Sequence, residues 1–164
     1  MLNYDIDPRG SKEAVVNLTG TIDENSGKIL ADLHSKLSAI TTCHFDFLGV
    51  EAINSLGIRT WINFLRSFEE GRSLLFEECT PDVVNQINMI PRFLGGAAVT
   101  SFHARYYCPD CDYEQQQRFD VSQGYDAIVE SSQNLQCDSC KVPLELEGDE
   151  DVYFDFLRKA AKTA

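Results

Sequence analysis

The chain of 164 residues contains no run of eighteen apolar residues, the length a helix needs to cross a bilayer. Its opening stretch, Met1-Leu-Asn-Tyr-Asp-Ile-Asp-Pro8, has neither the basic nor the apolar segment of a secretory signal. A soluble cytoplasmic protein that does not insert into membranes is therefore expected. Basic residues are scarce: 14 Lys and Arg stand against 26 Asp and Glu, a net charge of −12. The deficit is general, with 8 basic and 13 acidic side chains in residues 1–100 and 6 and 13 in residues 101–164. Nucleic-acid binders neutralise phosphates with Lys and Arg, so no nucleic acid is expected as a partner, and a protein is. Also missing are a Gly-rich phosphate loop, a Gly-x-Ser-x-Gly elbow and an open three-ligand metal site. An enzyme reading has no residues to name, and the chain is read as non-enzymatic.

What is present is a hydrophobic fraction of 43%, enough for one sizeable core with a small appendage. Strands are expected at Asn3 to Asp7 and Ala14 to Leu18, joined by the short turn Pro8 to Lys12 as an antiparallel hairpin. Apolar residues then recur at helical spacing from Glu24 to Ile40, through Ile29, Leu30, Leu33, Leu37 and Ile40. A strand follows at Cys43 to Leu48, and a second helix at Leu56 to Phe68, with Ile58, Trp61, Ile62, Leu65 and Phe68 on one face. Trp61 is expected in the core; were it exposed, Phe64 and Arg66 beside it would mark a partner surface. Ser73 to Phe76 is a third strand of this alternation. Thr80-Pro81-Asp82 starts a further helix with a hydroxyl cap, a proline where no N–H is needed and an acid at the positive end of the dipole. Val83, Val84, Ile87 and Ile90 would form its buried face. Helices alternating with strands imply an α/β layer fold on a mixed sheet.

At Val50-Glu-Ala-Ile-Asn-Ser-Leu-Gly-Ile-Arg59 the chain resembles the STAS domain of bacterial anti-sigma factor antagonists, in which a strand, a short Asp-Ser-Ser/Ala-Gly loop and an amphipathic helix follow one another. A Leu-x-Gly-x-Ile-Asp element at Leu18 to Asp23, the strand at Phe45 to Leu48, and Gly71 before the strand ending at Phe76 fit the same layout. The resemblance covers roughly residues 1–100 and implies a STAS-like sheet with helices packed on it. It also implies a serine switch at Ser55, phosphorylated by an anti-sigma-type serine kinase or related regulator, with Asn54, Leu56 and Gly57 as its neighbours. Asn54 stands where the family usually has Asp, and Leu56 where it has a small residue. Read on residue type alone, Asn54 and Ser55 are both good helix caps.

Four of the six cysteines form two pairs, Cys108-Pro-Asp-Cys111 and Cys137-Asp-Ser-Cys140, with 25 residues between them. Two such turns aim backbone N–H groups at four thiolates that close a tetrahedron around a metal. A structural Zn(2+) in a zinc ribbon is expected, with iron in a rubredoxin-like site as the other ion that four thiolates suit. A redox dithiol needs a single pair at a strand-to-helix junction, and four protein ligands leave no position for catalysis. The strand Val99 to Tyr107 would lead into the first pair, a strand at Tyr113 to Val121 would return from it, and a short helix at Tyr125 to Glu130 would absorb the long spacing. The cysteines complete the ligand set without His34, His44 or His103; His34 is expected on a solvated helix face, His44 on a strand and His103 around the metal. Cys43 and Cys79, in apolar stretches, are expected as buried, inert thiols. Val152, Tyr153, Phe156 and Leu157 suggest a terminal helix after an acidic turn that does not match a calcium loop.

The expected organisation is a STAS-like domain over residues 1–100 and a zinc ribbon with a C-terminal helix over 101–164. The expected function is bacterial signalling or regulation by protein–protein contact, a homodimer being compatible with it. The alternative is a non-phosphorylated STAS-like scaffold subunit of a lipid-transport or stress-signalling assembly.

Overall fold

The computed structural model describes residues 1–163. β1 (Asn3–Pro8) and β2 (Glu13–Ile22) make the expected antiparallel hairpin, with Asn3 opposite Thr19 and Pro8 opposite Ala14. The chain continues through α1 (Gly27–Lys36), β3 (Thr42–Ile53), α2 (Ser55–Arg66), β4 (Ser73–Glu77), α3 (Pro81–Met89), the single turn α4 (Pro91–Leu94) and β5 (Ala98–Val99). These strands form one sheet in the order β1-β2-β3-β4-β5, parallel everywhere except at β1. The mixed α/β sheet with packed helices is thus the observed architecture.

Alternation along the strands decides which residues are buried. Ala14, Val16 and Leu18 of β2 and Cys43, Phe45 and Phe47 of β3 point to the side that α1 and α2 cover, and all are essentially inaccessible. Trp61 of α2 is fully buried and meets Phe45 and Phe47 edge-on, with ring centroids 5.5 and 5.4 Å away. It is a core residue, not a partner surface.

Several boundaries differ from the sequence expectation. β2, expected to end at Leu18, runs to Ile22, α2 stops at Arg66 short of Phe68, and the strand expected from Val99 to Tyr107 is two. Three further differences have a readable cause. The helix expected from Glu24 to Ile40 is a short 3-10 turn at Glu24–Ser26 followed by α1, which ends at Lys36. Asp23 accepts from the Asn25 N–H and caps this start, and Ile40 lies half-buried beyond the helix. β3 runs five residues past Leu48, because its register with β2 shifts between Asn17 and Thr19 and again between Gly20 and Thr21. Such irregularities break a strict two-residue period, so alternation stops being readable while pairing continues. Ile90, assigned to the buried face of α3, lies just past the helix and is half-buried.

Beyond Thr100 a second sheet forms from β6 (Ser101–Tyr107), β7 (Glu114–Asp120) and, after α5 (Tyr125–Gln133), the two-residue β8 (Glu145–Leu146). Its order is β7-β6-β8, antiparallel throughout. The single terminal helix expected is two, α6 (Glu150–Tyr153) and α7 (Asp155–Thr163). The break at Phe154 resets the helical phase. Phe154 is therefore 1% exposed, whereas Val152, expected on the buried face, is 62% exposed.

The two sheets meet at the end of β4. Cys79 bridges to Phe102, its N–H donating to the Ser101 carbonyl at 3.1 Å and its carbonyl accepting from His103 N–H at 2.8 Å. Glu78 takes a left-handed backbone, φ 49°, and its carboxylate accepts from Arg118 Nε of β7 at 2.6 Å and meets His103 Nε2 of β6 at 2.7 Å. Phe102 packs on Phe119 and Phe156, and α3 reaches across through Asn88, which binds the Tyr153 carbonyl and the Phe156 N–H. Buried residues on both sides of Thr100 belong to one contiguous apolar cluster. Among the described residues no helix is long and apolar enough to cross a membrane.

Candidate functional site

The two cysteine pairs, separated in sequence, converge in space. Cys108 directly follows β6 and Cys111 precedes β7, so the first pair is the tip of a hairpin; Cys137 and Cys140 lie in the loop between α5 and β8. All four sulfurs lie within 4.8 Å of one another. Cys108 Sγ is 3.4 Å from Cys140 Sγ, Cys111 is 3.5 Å from Cys137, and Cys140 is 3.8 Å from Cys111. A tetrahedron with metal–sulfur bonds of about 2.3 Å has edges of about 3.8 Å, so the group is compatible with one metal ion. Among the described residues it is the only group of three or more Cys, His, Asp or Glu close enough to share an ion. The acidic stretch Glu145 to Asp151 does not converge in this way.

The backbone builds each half of the site alike. Cys108 N–H donates to the Tyr113 carbonyl at 2.8 Å and Asp112 N–H to the Cys108 carbonyl at 3.1 Å; Cys137 N–H and Lys141 N–H make the same bonds with Val142 and Cys137 at 2.8 and 2.9 Å. Asp112 and Lys141, each just after the second cysteine of its pair, both turn to positive φ, 55° and 64°. That conformation closes each turn and aims N–H groups inward. The N–H groups of Cys140 and, more weakly, Ser139 hold the Cys137 thiol down at about 7 against the opposing effect of burial. For Cys111 the Tyr113 N–H acts downward, but thiol contact with Cys108, together with burial and the other sulfurs, prevails and pushes it up to about 12. Four sulfurs without a cation thus resist carrying four negative charges, which a divalent ion would relieve. Sequence reasoning did not single out Asp112 and Lys141; their equivalent places after the two pairs were the available signal.

No histidine joins the cluster. His103 lies five residues before Cys108 on β6, about 16 Å along a strand, and is engaged by Glu78 instead of the metal surroundings expected for it. His34 is half-buried rather than on a solvated face, with Nε2 3.0 Å from the Ser67 carbonyl and its ring edge-on to Phe68. His44 lies on β3, as expected, between Glu13 and Glu77. Cys43 and Cys79 are fully buried. Burial raises both thiols, with Glu78 adding to the effect at Cys79, so both are poor nucleophiles.

The β3–α2 junction separates the two candidate caps. Asn54, in an extended conformation, caps α2: its Oδ1 accepts from Gly57 N–H at 2.7 Å and its Nδ2 donates to Glu24 Oε2 at 2.9 Å. Ser55, the first helical residue, is exposed, and its hydroxyl makes no hydrogen bond among the described residues. Leu56 beside it is 57% exposed. Gly57 is buried against β2, where an added Cβ would stand 2.0 Å from the Ile22 carbonyl oxygen. Asn54→Ala should cost about 1 kcal/mol, the usual worth of a helix cap, read as a lower urea midpoint with unchanged slope.

No family model matches the sequence, and no curated protein does. Among solved structures the chain is similar to the Bacillus cell fate determinant SpoIIAA in its phosphorylated form, at 14% identity over 59% of this chain and 90% of that one, TM-score 0.45. It is similar to an anti-sigma factor antagonist from Mycobacterium paratuberculosis, at 13% identity over 56% and 79%, TM-score 0.47. A protein with a SpoIIAA-like fold from Shewanella loihica aligns at 10% identity over 62% and 84%, TM-score 0.44.

Proposed function

We propose that this chain is a non-enzymatic bacterial regulatory protein of the cytoplasm that acts by binding another protein. In this reading residues 1–100 form a STAS-like domain that presents Ser55, and residues 101–164 form a zinc ribbon held by Cys108, Cys111, Cys137 and Cys140. The observation that carries the reading is the division of labour at the start of α2. Asn54 does the capping, so the exposed Ser55 hydroxyl is not needed for the helix. A phosphate there would add a charge of about −1.5 to −2, next to the free N–H groups of a twelve-residue helix. The same charge would repel an acidic partner or one docked on Leu56. Zinc is the ion favoured for the four thiolates, and it would hold the ribbon together without taking part in chemistry.

The partner proposed is an anti-sigma-type serine kinase or a related regulator. The test is affinity purification from native cells with phosphosite mapping on the same sample: phosphate on Ser55 under some condition, and altered partner recovery with Ser55→Ala, are expected. A second reading, a phosphate-independent scaffold in a lipid-transport or stress-signalling assembly, is favoured by one observation. Asn54 spends its amide on Glu24 and brings no charge to the loop. Partner recovery unchanged by Ser55→Ala, with no phosphate found, would select that scaffold and end the switch.

A further inference from the structure

The four cysteines are not equivalent, and the way they differ points to a second property of the site. Cys108 and Cys137, the first member of each pair, are fully buried; Cys111 and Cys140, the second members, are exposed. Each exposed sulfur has a close neighbour across the site, in the opposite pair: Cys140 lies 3.4 Å from buried Cys108, and Cys111 lies 3.5 Å from buried Cys137. One residue of each pair is therefore exposed, and the sulfur of a buried cysteine from the other turn lies against its own.

We propose that the metal centre is a peroxide-sensitive modification site, at which Cys111 and Cys140 are oxidised first and are then captured by Cys137 and Cys108. The proposal rests on the metal-thiolate reading above. In the first step an exposed thiolate attacks peroxide, the O–O bond breaks, a sulfenic acid forms and hydroxide leaves. The buried thiolate across the site then attacks that sulfur, the S–O bond breaks, a disulfide forms and a second hydroxide leaves. Each bridge consumes two thiolates, one peroxide and two protons and yields two waters; the sulfurs lose two electrons and the peroxide gains them. Zinc keeps its oxidation state and is released, because a disulfide sulfur is no longer an anionic ligand.

The connectivity has a structural consequence. Bridges Cys108–Cys140 and Cys111–Cys137 each join the β6–β7 hairpin tip to the loop before β8, the same two segments the metal joins. Oxidation would exchange one staple for two covalent ones, whereas bridges within each pair would leave the segments separate. Peroxide would then convert the ribbon to a metal-free state that keeps its connection, unlike the state left by a chelator.

The experiment treats the purified full chain with hydrogen peroxide after its metal content has been measured. Released zinc is followed with a chromogenic chelator, and the disulfides are mapped without reduction. Trypsin leaves the first pair on one peptide and the second on another, and a protease cutting before aspartate separates the members of each pair at Asp110 and Asp138. One equivalent of zinc should be released per two of peroxide, with Cys108–Cys140 and Cys111–Cys137 as the dominant bridges. Bridges within the pairs, sulfinic or sulfonic acids without cross-links, or cysteines left intact would each overturn the proposal. A chain with no bound metal before oxidation would instead count against the zinc reading, and the mapped connectivity would still decide which sulfurs pair.

Discussion

Stripping the metal proposed for the four cysteines should unfold the cysteine end of the second sheet and leave the five-stranded sheet protected. Structural zinc sites in small domains contribute roughly 10–16 kcal/mol of apparent folding free energy, more than most single domains possess in total, about 5–15 kcal/mol. The ribbon has little to replace it with. β8 is two residues long, and β7 alternates between exposed and half-buried residues until Phe119. The Phe cluster of this part, Phe102, Phe119, Phe154 and Phe156, gathers beside α3, at the far end of β6 from the cysteines, and nearer to them the buried apolar side chains are few, chiefly Tyr106, Ile128 and Leu144. A chain segment of this size with so small a core is marginal at best without a staple.

Hydrogen exchange with and without chelator checks the expectation residue by residue. The amides of Cys108, Asp112, Cys137 and Lys141, bonded within the two turns, should lose protection by a factor of a hundred or more, corresponding to about 3 kcal/mol or more. Those of β2 and β3 should keep theirs. Lower pH should make stripping easier, because protons compete with the metal for thiolates. Loss of protection in β2 and β3 at the same chelator concentration would mean that the contiguous apolar cluster makes one cooperative unit, and a domain boundary at Thr100 would have to be abandoned.

Gly57→Ala should be strongly destabilising, although alanine is the better helix former by about 1 kcal/mol. The added Cβ would lie 2.0 Å from the Ile22 carbonyl oxygen, 2.5 Å from its carbon and 2.8 Å from the Asp23 nitrogen. These are backbone atoms, so no side chain can swing aside. Relief requires α2 to move away from the end of β2, and Trp61, Phe64 and Leu65 on the same helix are locked in the core. Overpacking costs about 1–3 kcal/mol where side chains can adjust, and about 3 kcal/mol or more is expected here. Thermal and urea unfolding would register it, and a loss under about 1 kcal/mol would mean that the helix start yields easily. Because the same movement would displace Ser55, partner binding should weaken along with stability.

The alternation of strands and helices was legible in the sequence because most of these elements bury one face only. Val83, Val84 and Ile87 mark α3 this way, and Thr80 and Pro81 announce its start by chemistry that acts within one turn. β3 was legible only as far as Leu48, since the extra residues it carries at its two register shifts depend on how β2 lies alongside. The break at Phe154 hid in the same manner. Nothing in the local pattern says that Tyr153 and Phe154 must both be buried, one with its hydroxyl on the His103 carbonyl and the other against Phe102 and Phe119.

At the candidate sites the division follows the range of the forces. Residue types and spacing by themselves determined that four thiolates form two equivalent turns suited to a metal, and that a capped helix begins at Asn54 or Ser55, because each feature is made by neighbours in sequence. Only the tertiary structure decided that Asn54 caps and Ser55 does not, that Gly57 touches β2, that His103 meets Glu78 and not the four cysteines, and which cysteine of each pair is exposed. Those outcomes depend on segments tens of residues apart meeting through one core, and no local period or propensity encodes which atoms then lie face to face.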